Sequence, residues 1–188
     1  EELLSLERVG PHVHDLWEHT LQVIHYTESL IAGKSLNPPQ DFSGAYLSSA
    51  CLALKPYRKN LQRDLTEPLQ GDRPRASLLL LAAFYHDIGK PGSRKLKADG
   101  RFHFHDHPAQ GLSMVEEVSN RFLLGAAEAK YLQLLVEHHM RLHNLSNPPG
   151  QVSRRAVYRY YQDMGPYGVD LALHSLADAL AAKEVTIA

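Results

Sequence analysis

The stretch "LLLLAAFYHDIGKPGSRK", residues 78–95, joins an apolar run directly to polar side chains that commonly bind metal ions. The run of leucines and alanines predicts a helix that is buried on all sides, because it offers no polar face to water. His86 and Asp87 end this run, and Lys90 follows three residues after Asp87. A buried carboxylate without a partner is costly. We therefore expect the helix to deliver these side chains to a cation or to hydrogen-bond donors.

The bulk composition fits one globular domain. The chain has 188 residues, of which 44% are hydrophobic, so residues 1–188 are long enough to form a single core. The formal net charge of −1 provides no general basic field that would attract nucleic acid. No apolar stretch approaches the ~20 residues of a membrane helix, so no membrane contact is expected. Cys51 is the one cysteine, which excludes an internal disulfide and favours a reducing, cytoplasmic setting.

The hydrophobic periodicity is helical along most of the chain, and it predicts an all-α bundle. Asp99-Gly100, followed by the alternating "RFHFH", predicts one small β-hairpin after the His-Asp pair. Asp106 is expected as the N-cap of the next helix, with Pro108 in its first turn. Residues 57–75 are ambiguous between a short helix and a loop. The predicted helices lie within residues 14–33, 37–57, 73–90, 106–123, 126–144, 153–165 and 166–183.

Histidines and acids interrupt the apolar faces of several of these helices, and 12 histidines raise the expectation of a metal site. The candidate ligands are His19, His86, Asp87, His107, His138, His139 and Asp178. Imidazole and carboxylate ligands without a thiolate suit one or two divalent ions of Mn, Mg, Ni, Co, Fe or Zn. His138 and His139 are adjacent and cannot share a helix face. His139 continues the apolar line of Leu132 and Leu135, which favours it as the inward-facing residue.

The order of these residues, with "HDIGK" at 86–90, "HPAQG" at 107–111 and the "HH" pair, resembles the HD superfamily of metal-dependent phosphohydrolases. More narrowly, "DLWEHTLQVI", "LVEHHMRL", "RRAVYRYYQDMG" and "LHSLADALA" look like the HD region of bacterial tRNA nucleotidyltransferase and poly(A) polymerase proteins. Those proteins usually carry a nucleotidyltransferase head marked by an Asp-x-Asp pair. This chain contains no Asp-x-Asp, so we expect a single HD domain that is a fragment of a longer protein, without nucleotidyl-transfer chemistry.

The resemblance implies that His19, His86, Asp87 and Asp178 are core metal ligands, and that His107, His138 and His139 complete a second metal site. It implies hydrolysis of a phosphomonoester or phosphodiester by metal-activated water. Asp87 and Lys90 would be the catalytic side chains, with Lys90 holding a phosphate oxygen as a point charge. Arg94, Arg154 and Arg155 are further candidates for phosphate contacts, by charge alone.

The expected partner is a phosphorylated small molecule or an RNA end, with tRNA contact through the parent protein. The alternative is a metal- or RNA-binding accessory domain without catalysis. A cyclic-dinucleotide phosphodiesterase ranks low, because the segment after His139 lacks the Gly-Tyr-Pro sequence of that group. His174 is given no ligand role, although its position four residues before Asp178 would let it contact a ligand. Tyr158, Tyr160, Tyr161 and Tyr167 are expected to serve packing rather than base stacking.

Overall fold

The computed structural model describes residues 16–34, 42–98, 102–146 and 152–182. It confirms the all-α architecture with one hairpin after the His-Asp pair. Within these ranges no helix combines the length and apolar character needed to span a bilayer. The helices are α1 (Leu16–Ala32), α2 (Phe42–Leu54), α3 (Arg58–Thr66), α4 (Arg75–Tyr85), α5 (Lys90–Ser93), α6 (His107–Arg121), α7 (Ala126–His138), α8 (Arg141–Ser146), α9 (Arg154–Met164) and α10 (Gly168–Ala182). Short 3-10 turns at Lys55–Tyr57 and Gly165–Tyr167 precede α3 and α10.

The bundle is built around α1, α4, α7 and α10. Helix α1 packs against α10 and α4, α4 packs against α7, and α6 covers α7. The apolar run that ends at His86 lies at the centre, where Leu78 and Leu79 are fully buried. Leu132 and Leu135 on α7 are equally buried, as the apolar line along that helix predicted. The burial of α4 places the end of this helix, and thus the His-Asp pair, inside the molecule.

The two-stranded hairpin consists of β1 (Lys95–Leu96) and β2 (Phe102–His103), which run antiparallel. Lys95 pairs with His103 and Leu96 pairs with Phe102. The predicted Asp99-Gly100 turn lies outside the described residues. Asp106 takes the predicted N-cap position of α6, but its carboxylate accepts a hydrogen bond from Lys95 Nζ at 2.8 Å instead of capping the helix. The ambiguous residues 57–75 contain the short helix α3.

The prediction of one helix through Lys90 is wrong, because α4 ends at Tyr85 and a turn carries residues 86–89. Gly89 explains the break. A Cβ atom at Gly89 would lie 2.1 Å from the carbonyl oxygen of His107 and 2.7 Å from the backbone nitrogen of Gly111. The chain therefore passes directly against the start of α6, where only a glycine fits. Lys90 then begins the separate short helix α5, with Pro91 in its first turn.

The predicted helix over residues 126–144 is likewise divided. Helix α7 ends at His138, a turn carries residues 139 and 140, and α8 begins at Arg141. The Nδ1 atom of His139 lies 2.7 Å from the carbonyl oxygen of Val136, three residues earlier. Such a local side-chain hydrogen bond competes with continuation of the backbone ladder. It also fixes His139 at a helix end, as the turn after α4 does for His86.

Candidate metal centre

Five parts of the fold bring together six of the candidate ligands. His19 comes from the middle of α1, and Asp178 comes from α10. His86 and Asp87 lie in the turn after α4, and the remaining two histidines are His107 at the start of α6 and His139 after α7. All five ligands other than Asp178 are at least 95% buried, while the side chain of Asp178 is 21% exposed. The centre is therefore largely shielded from water, and Asp178 is its most exposed candidate ligand.

Backbone carbonyl groups orient three of the four histidines. The Nδ1 atom of His86 lies 2.8 Å from Ala83 O, that of His107 lies 2.6 Å from Phe104 O, and that of His139 lies 2.7 Å from Val136 O. Since a carbonyl oxygen can only accept, each Nδ1 must carry the hydrogen. In the neutral form of such a ring, the Nε2 atom presents a lone pair. Each ring is thus fixed in the tautomer that binds a metal through Nε2.

Two of these lone pairs meet on one side of Asp87. The Nε2 atoms of His107 and His139 lie 2.8 Å apart. Asp87 Oδ1 lies 3.2 Å from His107 Nε2 and 3.7 Å from His139 Nε2. Three acceptor atoms at these distances repel one another unless a cation or a proton lies among them. This first group offers a carboxylate oxygen and two imidazole nitrogens to one ion.

A second group faces the other oxygen of Asp87. Asp87 Oδ2 lies 3.1 Å from His86 Nε2 and 3.9 Å from His19 Nε2. Asp178 Oδ1 lies 2.9 Å from His19 Nε2 and 3.9 Å from His86 Nε2. His19, His86 and Asp87 satisfy the spacing of a three-ligand site, and Asp178 lies next to it. Asp87 therefore stands between two potential cation sites, with one oxygen directed at each.

Burial and charge decide which of these groups carry protons. Burial lowers the pKa of His139 to about 4, so its ring is neutral near pH 7. Burial alone would raise the pKa of Asp87, but His86 and Lys90 hold it well below its usual value, and the carboxylate is ionised. Asp178 is also ionised, because the hydrogen bond with His19 and the charge of His86 outweigh its burial and lower its pKa. Burial opposes a charge on His86, yet Asp87 and Asp178 raise the pKa of this ring.

The donor set fits one or two divalent cations. Two atoms bound to the same ion at about 2.1 Å are roughly 3–3.5 Å apart, and the 3.1 Å and 3.2 Å spacings of Asp87 to His86 and His107 fall in that range. His86 Nε2 is buried and makes no hydrogen bond of acceptable geometry in the described part of the chain. Its lone pair is therefore available to bind a metal ion. Neutral imidazole with carboxylate favours borderline metals such as Mn, Fe, Co, Ni or Zn, and Mg is weaker with this many nitrogens.

The remaining predicted site residues lie around this cluster. Lys90 forms an ion pair with Asp87 Oδ2 and is partly buried, so its ammonium group adjoins the centre. His138 points away from the centre: its side chain is 31% exposed and lies 3.8 Å from Glu137.

Arg94 is exposed, with its guanidinium group 3.7 Å above the ring of Phe102 on the hairpin. Arg154 and Arg155 are exposed in the first turn of α9 and line neither cleft beside the centre. The phosphate-binding roles of these arginines, and the ligand role of His138, stay predictions.

His174, to which the sequence analysis gave no ligand role, packs against the centre. It is fully buried on α10, and its ring centroid lies 5.1 Å from that of His86. Both of its ring nitrogens are buried, with no hydrogen-bond partner among the described residues. Burial lowers the pKa of His174 to about 3. The four-residue spacing to Asp178 was the available signal, but it could not show that the ring packs on His86.

Comparison with known proteins supports the identity of the domain. No curated protein matches the chain. A family model described as the HD domain matches residues 16–183. The match spans α1 to α10 and thereby includes every ligand of the two groups around Asp87. The chain belongs to the HD domain family.

Proposed function

We propose that this chain is a divalent-metal-dependent phosphohydrolase that cleaves a phosphomonoester or phosphodiester of a nucleotide or an RNA end. One observation carries the proposal: buried imidazole nitrogens converge on both oxygens of an ionised Asp87. Membership of the HD domain family supports the same chemistry, because HD domains are generally metal-dependent hydrolases. A purely structural cluster would leave these lone pairs facing one another.

The bound metal would supply a hydroxide nucleophile near neutral pH and neutralise charge on the phosphoryl group. Asp87 would join the two groups of ligands, because each of its oxygens faces one of them. Lys90 would bind a non-bridging phosphate oxygen as a point charge, moving from its ion pair with Asp87. The backbone carbonyl groups of Ala83, Phe104 and Val136 hold the imidazole rings in place throughout.

The nucleotide or RNA-end substrate rests on the narrower resemblance to the HD region of tRNA nucleotidyltransferase and poly(A) polymerase proteins. That resemblance also underlies the proposal that residues 1–188 are a single HD domain of a longer protein, which would bring it to tRNA. The near-neutral net charge of −1 is consistent with a substrate recognised through a local site rather than a broad basic surface. The alternative, an accessory domain that binds metal or RNA without catalysis, predicts no turnover.

Metal content tests the ligand assignment directly. The purified protein is stripped with a chelator, reloaded separately with Mn, Ni, Co, Fe, Zn and Mg, and analysed by inductively coupled plasma mass spectrometry. We expect His19→Ala and His139→Ala to lose bound metal. His25→Ala is the matched control on α1, because His25 is exposed. His138→Ala separates the adjacent pair: loss of metal in His138→Ala but not in His139→Ala would contradict the assignment.

Turnover tests the reaction. The reloaded protein is assayed against nucleoside monophosphates, 2′,3′-cyclic nucleotides, a short RNA with a terminal phosphate, and bis(4-nitrophenyl) phosphate. We expect metal-dependent hydrolysis of at least one class, and a large loss of kcat in Asp87→Asn. Lys90→Ala should raise KM or lower kcat while leaving metal content unchanged. Bound metal with no hydrolysis of any ester would favour the accessory alternative.

A further inference from the structure

Two clefts of different chemistry lie beside the metal centre. One cleft, of about 540 Å³, is bordered by charged and polar side chains that include Lys90, His138 and Arg141. The other, of about 390 Å³, lies between α8, α9 and α10. Its walls are mostly apolar or aromatic: Leu142, Leu145, Val157, Tyr160, Tyr161 and Leu176. We call this second cleft the apolar cleft. Its size is at the lower end of the range for small-molecule sites, which is roughly 300–1,000 Å³.

The apolar cleft opens directly onto the candidate metal ligands. His139 and Asp178 form part of its lining, and each belongs to a different side of the Asp87 cluster. A group held in the cleft is therefore adjacent to a phosphate held at the centre. The group that occupies the apolar cleft would then be the organic part of the same phosphate ester.

The aromatic wall is fixed and partly accessible. The Tyr160 hydroxyl donates a hydrogen bond to the carbonyl oxygen of Gly168 at 2.5 Å, so its polar end is satisfied away from solvent. The Tyr161 ring centroid lies 5.1 Å from that of Tyr160, in an edge-to-face arrangement. Tyr161 and Val157 are 46% and 43% exposed, which is unusual for large apolar side chains that line one concave site.

The lining of the apolar cleft disfavours the phosphate and sugar parts of a substrate. Among the described residues, no lysine or arginine lines the apolar cleft, and Asp178 contributes a negative charge. A second phosphate would therefore be disfavoured there. The Ser175 hydroxyl already donates to the carbonyl oxygen of His139 at 3.3 Å, and most of the lining is apolar, although His143 is a further polar side chain in it. A flat, uncharged ring that stacks on tyrosine satisfies these walls, because every base has an apolar π-face.

We propose that the apolar cleft binds the nucleobase of a nucleoside phosphate whose phosphate lies at Asp87. This inference rests on the proposed phosphohydrolase function and adds the orientation in which the substrate binds. The base lies toward α9, and the charged cleft with Lys90 takes the more polar remainder of the substrate. The enzyme then selects nucleoside phosphates over sugar phosphates that lack a base.

The kinetic test compares adenosine and cytidine 5′-monophosphates with ribose 5-phosphate. We expect kcat/KM for the nucleotides to exceed that for ribose 5-phosphate by roughly 5- to 150-fold, the range that stacking of one base supports. Tyr161→Ala should remove most of this preference by raising KM for the nucleotides, with ribose 5-phosphate little changed. Tyr158→Ala is the matched control, because Tyr158 is also on α9, is 64% exposed and does not line the cleft.

Binding without catalysis separates this inference from the proposed function. Saturation-transfer NMR on chelator-treated protein should detect adenosine and cytidine, but not ribose, with the wild type and Tyr158→Ala. The signal should be lost with Tyr161→Ala. If the protein hydrolyses no ester but shows this pattern, the nucleobase site stands and the proposed function fails. Hydrolysis without preference for a base, together with no nucleoside binding, would overturn the nucleobase site alone.

Discussion

At the scale of single residues, the chemistry of the centre depends on which ring nitrogen carries hydrogen. Hydrogen bonds from Nδ1 to a carbonyl oxygen three residues earlier fix His86, His107 and His139 in the same tautomer. The three rings come from separate parts of the chain, yet each uses this same local contact. The Nε2 atoms that would bind a metal are thus oriented before any ion arrives, which would lower the entropy lost on binding.

His174 tests how the burial of a titratable ring affects the stability of the fold. In the folded protein its pKa is about 3, against about 6.5 for an unfolded histidine. Because the unfolded chain takes up the proton first, His174 lowers stability by about 1.4 kcal/mol per pH unit as the pH falls from about 6.5 toward 3. Above pH 6.5 this contribution is absent. We expect His174→Leu to flatten the pH dependence of the free energy of unfolding in that window.

His174→Leu should also raise stability at pH 7 by about 1–3 kcal/mol, since it removes a buried polar ring without described partners. Urea unfolding of the chelator-treated protein, measured from pH 7 to pH 5, checks both expectations. His25→Leu on the exposed face of α1 is the control. A variant less stable than the wild type at every pH would show that His174 makes a stabilising interaction.

At the scale of elements, most ligands lie where helices begin or end. His107 begins α6, and His86 and His139 directly follow the last residues of α4 and α7. Helix ends leave backbone groups that nearby side chains can satisfy, and the carbonyl contacts of these histidines use that opportunity. The ends must then be brought together accurately, and the turn at Gly89 does this for α4 and α6.

Gly89→Ala should disturb the first group of candidate ligands, which contains His107. The new Cβ would meet backbone atoms of His107 and Gly111, which cannot move aside as a flexible side chain would. We expect a loss of about 1–3 kcal/mol in the free energy of unfolding, as for other overpacked sites. We also expect a lower metal content, because His107 shifts away from Asp87. Urea unfolding and metal analysis measure the two effects.

Gly92→Ala in α5 is the control for this substitution. Its Cβ would meet only the end of the Gln110 side chain at 2.7 Å, which can rotate away. The stability and metal content of Gly92→Ala should stay close to the wild type. Equal effects of the two substitutions would show that the approach at Gly89 does not position His107.

At the scale of the whole molecule, a buried ion pair joins three of the helices that carry or precede candidate ligands. Asp170 Oδ2 on α10 lies 3.0 Å from Arg75 Nε at the start of α4. It also accepts a hydrogen bond from the Tyr131 hydroxyl on α7 at 2.8 Å. Burial raises the pKa of Asp170 despite these partners, so the carboxylate depends on them. The contact fixes α4, α7 and α10 relative to one another.

Asp170→Ala should destabilise the fold by about 3–5 kcal/mol, because it leaves the largely buried Arg75 without its anion. Asp163→Ala is the control, since Asp163 forms an exposed ion pair with Arg141 on the surface. Its effect should stay below about 1 kcal/mol. Denaturant unfolding of the two variants compares these values. Similar small effects for both would show that the buried ion pair does not hold the helices together.

The sequence by itself determined the helical class, the hairpin and most of the candidate ligands. Apolar periodicity reports which face of each helix is buried, and a histidine or acid on such a face is conspicuous. It also favoured His139 over its neighbour His138 as the inward-facing residue, and the burial of the two side chains agrees. Local patterns suffice for these points because burial depends mainly on the side chain and its helical neighbours.

Only the tertiary structure decided how these residues combine. The break at Gly89, the two-sided arrangement around Asp87, and the contact of His174 with His86 all depend on segments far apart in sequence. The apolar cleft likewise needs three helices at once, so its tyrosines were expected only to pack. No local pattern encodes the distance between two helix ends, because that distance is set by the packing of every helix between them.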